Sequence, residues 1–348
     1  MNRIRHIDAR AHVAIVDPCS AAGYDLSDLE TGGLGGTEAT VLRVAAALAP
    51  HFDLTLYQNG RTGQRAPNLG NLRCLNDLRP ASSYDAIVVI NRWKVALKLR
   101  RQATDTSIFL WLHVYPGRHN RKMGAALKAA NVTVICVSHT HAETLKRFLG
   151  DDTPSLRVIY NPLDDALRPD DTPRDPGRLL FASSPHKGLG EVFGQFSTLR
   201  RHLPDLTLYV ADPGYLSWDT GPVPEGVVFL GSLSHPALIR QMRRALCLFY
   251  PQTSFAETFG LVLAEANAVG TPALVHAGLG ANAEIVADAE QQVDGQDAGQ
   301  ILSRVLAWRQ TPAQVTANPA FRLNAVAQHW VDLLHRAVAQ PDLSEVSQ

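Results

Sequence analysis

The chain has 348 residues, too many for one ordinary domain and enough for two α/β domains. It is 45% hydrophobic and 19% charged, as expected of a globular protein, and 33 basic residues against 33 acidic ones exclude a polyanion-binding character set by global charge. Cys19, Cys74, Cys136 and Cys247 are widely separated and form no C-x-x-C pair. A disulfide framework and a structural zinc are therefore not expected, and reduced thiols in a cytoplasmic protein are. The opening MNRIRHIDARAH lacks the apolar run of a signal peptide, and no stretch approaches a membrane-spanning length, so any membrane contact should be peripheral.

Short apolar runs alternate with helical patterns, the signature of successive βαβ units. His12–Asp17 reads as a strand and Glu38–Leu48 as a helix, followed by strands at Asp53–Tyr57, Ala86–Ile90, Ser107–His113 and Thr133–Ser138. A helix over His141–Leu149 and a strand over Arg157–Tyr160 complete the first series. NPLDDALRPDDTPRDPGR then reads as a Pro- and Asp-rich interdomain linker. Alternation resumes with strand Leu179–Ser183, helix Leu189–Leu203, and strands Leu206–Ala211 and Val227–Leu230. Helix His235–Ala245, strand Leu246–Tyr250, helix Thr258–Val269 and strand Ala273–His276 follow. The expected division is 1–163, a linker at 164–177, a second domain at 178–312, and a C-terminal helix (Phe321–Val338) and tail at 313–348 that the sequence does not place. Two doubly wound Rossmann-like domains should face a cleft lined by strand carboxyl ends.

The stretch from Tyr250 to Pro272, YPQTSFAETFGLVLAEANAVGTP, carries the most chemistry. A helix starting near Thr258 would offer free N–H groups to an anion. Glu265 lies among Leu261, Val262, Leu263, Ala264, Ala266 and Ala268, so it should be buried and needs a partner. A ligand diol could supply one; a helix-start Glu followed by a partnered core Glu is the plain alternative. Gly32, Gly33, Gly35 and Gly36 precede Thr37, a plausible N-cap, in a run that suits either close ligand approach or a tight turn. Lys187, after Ser183-Ser-Pro-His, could neutralise a phosphate or stand in an exposed loop.

The Glu257-x7-Glu265 spacing resembles the motif of the retaining family 4 glycosyltransferases, which have the GT-B fold. Val227-Val-Phe-Leu-Gly231-Ser-Leu-Ser-His resembles that family's base-contacting loop, and Gly270-Thr-Pro its usual continuation. The resemblance implies an α/β, GT-B architecture and transfer of a sugar from a nucleoside diphosphate sugar to a hydroxyl acceptor, in polysaccharide, lipopolysaccharide or glycolipid synthesis. It implies catalytic roles for Glu257, His113 and Lys187. Donor binding falls on Gly35, Gly36, Lys187, Ser232, Thr258, Phe259, Gly260, Leu261 and Glu265, with Glu265 at the ribose. Ser138 and Asn161 are expected to shape the cleft. The chain departs from the family in lacking an Arg about five residues before Lys187, where Ala182 and Ser183 stand, and in the insertion Pro18–Thr31.

No Asp-x-Asp occurs, which disfavours a metal-dependent GT-A enzyme, and His139 with His141 lacks a third ligand. No metal and no cofactor are expected. A G-x-G-x-x-G fingerprint for an NAD enzyme is missing. A GT-B sugar-nucleotide epimerase and a catalytically weak nucleotide-sugar binding protein remain alternatives. From Asn91 to Arg147 eleven basic residues meet only Asp105 and Glu143, giving either a solvated face or a patch for anionic lipid at the inner face of the plasma membrane. Nucleic acid is not expected, because no binding module is recognisable.

Overall fold

The computed structural model describes residues 10–31, 34–61, 64–66, 68–214 and 218–339. Gly32 and Gly33 of the glycine run, and most of the opening segment, lie outside the described residues. In chain order the first elements are β1 (His12–Asp17), α1 (Asp28–Thr31), α2 (Gly36–Leu48), β2 (Asp53–Gln58), β3 (Gln64–Ala66), β4 (Gly70–Cys74) and β5 (Ala86–Ile90). Then come α3 (Trp93–Gln102), β6 (Ser107–Leu112), α4 (Met123–Ala129), β7 (Thr133–Cys136), α5 (His139–Leu149) and β8 (Leu156–Val158). The second series holds β9 (Asp175–Ala182), α6 (Leu189–His202), β10 (Thr207–Ala211), β11 (Val227–Gly231), α7 (His235–Arg244), β12 (Ala245–Tyr250) and α8 (Leu261–Ala268). It ends with β13 (Ala273–His276), α9 (Asn282–Val286), β14 (Gln292–Val293), α10 (Ala298–Gln310) and α11 (Leu323–Ala339).

The chain divides into two compact units, one of residues 1–24, 40–162 and 323–348, the other of 25–39 and 163–322. The first is built on a sheet of order β3-β4-β2-β1-β5-β6-β7-β8, parallel except for β3 against β4. Its central strands read as unbroken apolar runs because both faces are covered; all five residues of β5 are buried. One face packs Ala14, Val16, Ile87, Val89, Leu110 and Leu112 into a single core. The final helix, α11, belongs to this unit: Trp330 meets Trp111 edge-on at 4.6 Å, and His335 meets Phe52 at 4.9 Å. Its amphipathic face thus completes the first core.

The second unit holds a parallel sheet of order β11-β10-β9-β12-β13-β14. Strand order reverses between β9 and β12, which pair through Cys247 with Leu179 and Leu248 with Leu180. In such sheets the crevice at the carboxyl ends of the two strands flanking the reversal is the natural ligand position. The Pro- and Asp-rich segment has no helix, yet it is packed: Leu163 and Leu167 are buried, and Arg174 donates to Ala313 O and Gly270 O. Leu163 also forms a parallel bridge with Arg322, so the two chain segments that leave this unit run side by side.

Candidate active site

Lys187 and Glu257 stand on the loops that follow β9 and β12, at the strand-order reversal. After β9 the chain turns tightly, with Lys187 N donating to Ser184 O at 3.0 Å, and enters α6 at Gly188 in the left-handed region (φ 85°). A Cβ on Gly188 would stand 2.6 Å from Gln252 Cβ, so glycine there lets the two loops approach. The loop after β12 is wound around Gln252, whose Oε1 accepts from Ser254 N at 3.0 Å and Phe255 N at 2.7 Å. Ala281 N donates to Glu257 O at 2.9 Å. Gly280 is similarly constrained, at φ 53° with a virtual Cβ 2.5 Å from Glu257 O.

These loops bring Lys187 Nζ to 2.9 and 3.2 Å from the two carboxylate oxygens of Glu257. The side chains are 24% and 8% exposed, so the pair is largely desolvated yet reachable. Tyr250 donates its hydroxyl to Glu257 Oε1 at 3.0 Å. Burial and the adjacent carboxylate hold that phenol well above its ordinary pKa, so it remains a donor. Lys187 Nζ also lies 4.8 Å from the centre of the Phe255 ring. Beside it, burial and the ammonium push the His186 imidazole below its usual range, with Nδ1 2.9 Å from Ser184 Oγ.

The helix expected from Thr258 begins three residues later, at Leu261. Gly260 takes a left-handed conformation (φ 88°, ψ 65°), so Thr258 and Phe259 form the turn before it rather than its first turn. Leu263 N donates to Gly260 O at 3.0 Å, so the amides of Leu261 and Val262 precede the hydrogen-bond ladder, at the positive end of the helix. Phe259 is a buried anchor, edge-on to Phe321 at 5.1 Å. Every residue from Leu263 to Ala268 is buried, Glu265 included. Its expected partner proves to be a side chain: His235 Nε2 lies 2.8 Å from Glu265 Oε1. Ser232 is exposed beyond β11, where Gly231 has φ 68°.

The segment 25–39 groups with this second unit. A Cβ on Gly36 would stand 3.3 Å from Leu261 Cδ1, while one on Gly35 would meet Glu38 Oε2 at 2.3 Å. Thr37, expected as an N-cap, is the second residue of α2, which starts at Gly36. At the start of the Pro18–Thr31 insertion, Asp17 accepts from Cys19 N at 2.9 Å, Ser20 N at 3.2 Å and the Tyr24 hydroxyl at 2.7 Å.

His113 stands in the first unit, just after β6. Its N–H donates to Asn91 Oδ1 at 2.7 Å and its ring packs on Trp111 at 4.7 Å. Burial, reinforced by His141, brings its pKa down to about 3, so the imidazole is neutral at pH 7. Ser138 is the N-cap of α5, accepting from His141 N at 2.9 Å. His139 and His141 lie against different rings, Tyr160 at 5.8 Å and Tyr115 at 5.1 Å, and Asn161 is buried.

Tyr250, Gln252 and His235 were not singled out by sequence reasoning. Tyr250 ends a buried strand seven residues before Glu257 and reads locally as core. His235 and Glu265 are thirty residues apart, and no local spacing links them.

Residues 180–308 match the family described as glycosyl transferases group 1. No curated protein matches the sequence at a significant level. Among solved structures the chain resembles AviGT4, a glycosyltransferase involved in avilamycin A biosynthesis, at 19% identity over 94% of this chain and 98% of that one (TM-score 0.58). A glycosyltransferase from Rickettsia africae ESF-5 matches at 13% identity over 96% and 100% (TM-score 0.67). An α,α-trehalose-phosphate synthase (UDP-forming) from Burkholderia vietnamiensis matches at 13% identity over 95% and 98% (TM-score 0.63). Residues 180–308 thus resemble a glycosyl transferases group 1 domain, and the chain has the GT-B fold of these glycosyltransferase structures.

Proposed function

We propose that the chain transfers a sugar, with retention of anomeric configuration, from a nucleoside diphosphate sugar to a hydroxyl of a saccharide or lipid-linked glycan. The observation that carries this reading is the Lys187–Glu257–Tyr250 cluster at the strand-order reversal, next to the amino end of α8. Glycosyl transfer breaks the bond between the anomeric carbon and the β-phosphate, so negative charge grows on the departing diphosphate. Lys187, with the Leu261 and Val262 amides, is the preorganised positive charge such a step needs. Glu257, clamped by Lys187 and Tyr250, is suited to orient the hydroxyls of the donor sugar. A carboxylate held in this way is a poor covalent nucleophile, which favours attack of the acceptor on the face the leaving phosphate vacates. Glu265, oriented by His235, is suited to a ribose diol. Gly35 and Gly36 allow close backbone approach to the diphosphate, Ser232 is suited to the base, and neutral His113 can donate to the donor sugar. Neither metal nor cofactor enters this reading, with the donor itself as the activated substrate.

Product analysis by NMR, with a nucleotide sugar that the protein binds, tests it. An α-linked product from an α-linked donor supports the reading. An inverted product contradicts the mechanism, and a free epimer with no acceptor consumed contradicts the reaction. The account also includes an electrostatic membrane contact. Arg92, Lys94, Lys98 and Arg101 are exposed on or beside α3, while Trp93 is half-buried and donates to Asn120 Oδ1 at 3.1 Å, which favours charge attraction over insertion. Sedimentation with liposomes should rise with anionic lipid content; indifference to it would remove this element.

A further inference from the structure

The right-handed sense of parallel crossovers sorts the helices of the second unit. α6 joins β9 to β10, whereas α7 and α8 cross the sheet in the opposite direction, so α6 lies on one face and α7 and α8 on the other. Glu265 and His235, suited to the ribose, belong to the α7–α8 side. On the α6 side a row of aromatic rings leads away from the Lys187–Glu257 pair. Phe255 lies 4.8 Å from Lys187 Nζ, the His186 ring 5.4 Å from Phe255, and the Trp218 ring 6.0 Å from His186. Both loops that bear these rings are tied to the start of α6: Thr253 N donates to Glu191 at 2.7 Å, and a Cβ on Gly190 would stand 3.1 Å from Thr220 O.

Trp218 is 58% exposed, the most exposed large apolar side chain among the described residues. Its ring meets that of His186 at 61°, edge to face, so the indole is supported rather than covered. His186 is half-buried, and its Nδ1 is engaged by Ser184 Oγ at 2.9 Å, which leaves Nε2 to a ligand. A sugar hydroxyl both donates and accepts, so it fits that nitrogen in either tautomer. Charge narrows the ligand class further. The stretch from Asp212 to Gly231 holds Asp212, Asp219 and Glu225 and no Lys, Arg or His, which disfavours a phosphate or an anionic membrane. A neutral sugar ring matches, because the C–H groups on its face lie well against the negative face of an indole. A nucleobase also stacks on an indole, but the donor runs from base to ribose to diphosphate to sugar. With the ribose on the α7–α8 side and the sugar at Glu257, Trp218 stands past the sugar end.

We infer that Trp218 and His186 form an acceptor subsite for a neutral saccharide, with a sugar ring stacked on the indole and one of its hydroxyls bonded to His186 Nε2. The inference rests on the reading of the chain as transferring a sugar to a saccharide, and it adds which residues select that acceptor. His186 adjoins Lys187 in sequence and Phe255 in space, so the ring seated here is a neighbour of the sugar held by Glu257. Binding energy from this platform is spent on holding the acceptor and belongs in the acceptor KM.

NMR of the indole N–H groups of the full chain tests it, with the Trp218 signal assigned by its loss in Trp218→Phe. The probes are methyl glycosides of glucose, galactose, mannose and N-acetylglucosamine, with UDP, GDP and ADP as competitors. At least one glycoside should shift the Trp218 signal saturably. Followed at the Gly188 and Thr220 amides, its affinity should fall at least about tenfold in Trp218→Ala and about three- to tenfold in His186→Ala. Trp218→Tyr and His186→Gln should each recover part of the loss. With that glycoside as acceptor and a nucleotide sugar the chain binds, Trp218→Ala should raise the acceptor KM at least about tenfold and the donor KM less than about twofold. The subsite is overturned if no glycoside gives a saturable shift, or if the acceptor KM is unmoved in Trp218→Ala. Displacement of the glycoside by a nucleoside diphosphate overturns it too, by assigning the indole to the base. Failure of the donor reading is distinct, since no nucleotide sugar would then stabilise the chain, whatever the glycosides do at Trp218.

Discussion

The Lys187–Glu257 pair permits a quantitative test of how the site is held. At their 2.9 Å separation, an effective dielectric near 20 gives a gross attraction of about 5–6 kcal/mol. Desolvation cancels much of this, and because Lys187 keeps 24% exposure and Glu257 8%, a net coupling of about 1–3 kcal/mol is expected. The single substitutions should be unequal. Lys187→Met leaves a buried carboxylate without the Lys187 ammonium, at a cost of about 2–4 kcal/mol. Glu257→Gln leaves a partly exposed ammonium that still faces the Phe255 ring, at a cost of about 1–2 kcal/mol. The double variant removes both charges, so its cost should fall below the sum of the singles by the coupling energy. Urea unfolding of the four proteins, followed by circular dichroism, measures each corner. Additivity within about 0.5 kcal/mol, or a larger cost for Glu257→Gln than for Lys187→Met, would refute the reasoning.

Gly280→Ala forces a side chain onto backbone with φ 53°, with Cβ 2.5 Å from Glu257 O and 2.7 Å from Glu257 N. It should destabilise the protein by about 2–4 kcal/mol and lower donor affinity; unchanged unfolding would show that the Glu257 loop is not pinned there. Removing the imidazole at Glu265 by His235→Ala should cost about 1–3 kcal/mol and raise the donor KM more than it changes kcat, with His235→Gln restoring part of both. Steady-state kinetics showing the loss in kcat alone would contradict that role. Stability should also fall on acidification. The His113 and His141 pKa values are brought down from 6.5 to about 3 and about 4, chiefly by burial, so the unfolded chain binds more protons between those limits. Their contribution is complete above about pH 6.5 and should fall by about 1–2 kcal/mol per histidine between pH 7 and pH 5. Denaturation at several pH values should give a shallower slope for His141→Gln; an unchanged slope would assign the pH dependence elsewhere.

Much of the architecture is legible in the sequence because parallel strands covered on both faces leave unbroken apolar runs; β1, β5 and β13 fall where those runs do. What the sequence concealed has local causes. The start of α8 is displaced to Leu261 because Gly260 adopts a left-handed conformation that the helical pattern from Thr258 does not reveal. β3 is an edge strand and β4 lies next to it, and both hold too few apolar residues for period-two patterning. The last helix is plainly amphipathic, yet only the tertiary pairing of Trp330 with Trp111 assigns it to the first unit. At the site, the need of Glu265 for a partner followed from its apolar surroundings, but the partner is thirty residues away in sequence. The clamp on Glu257 likewise joins residues from different loops, which periodicity cannot register.

The most direct test of the central claim, a nucleotide-sugar site centred on Glu257 and Glu265, is a thermal-shift screen of the full chain with UDP-, GDP-, ADP- and CMP-sugars, run alongside Glu265→Ala. At a ligand concentration 100-fold above Kd, binding should stabilise the wild type by about 2.7 kcal/mol. The account predicts a clear upward shift with one nucleotide class, lost or sharply reduced in Glu265→Ala. No stabilisation by any nucleotide sugar, or an equal shift in the variant, would contradict it.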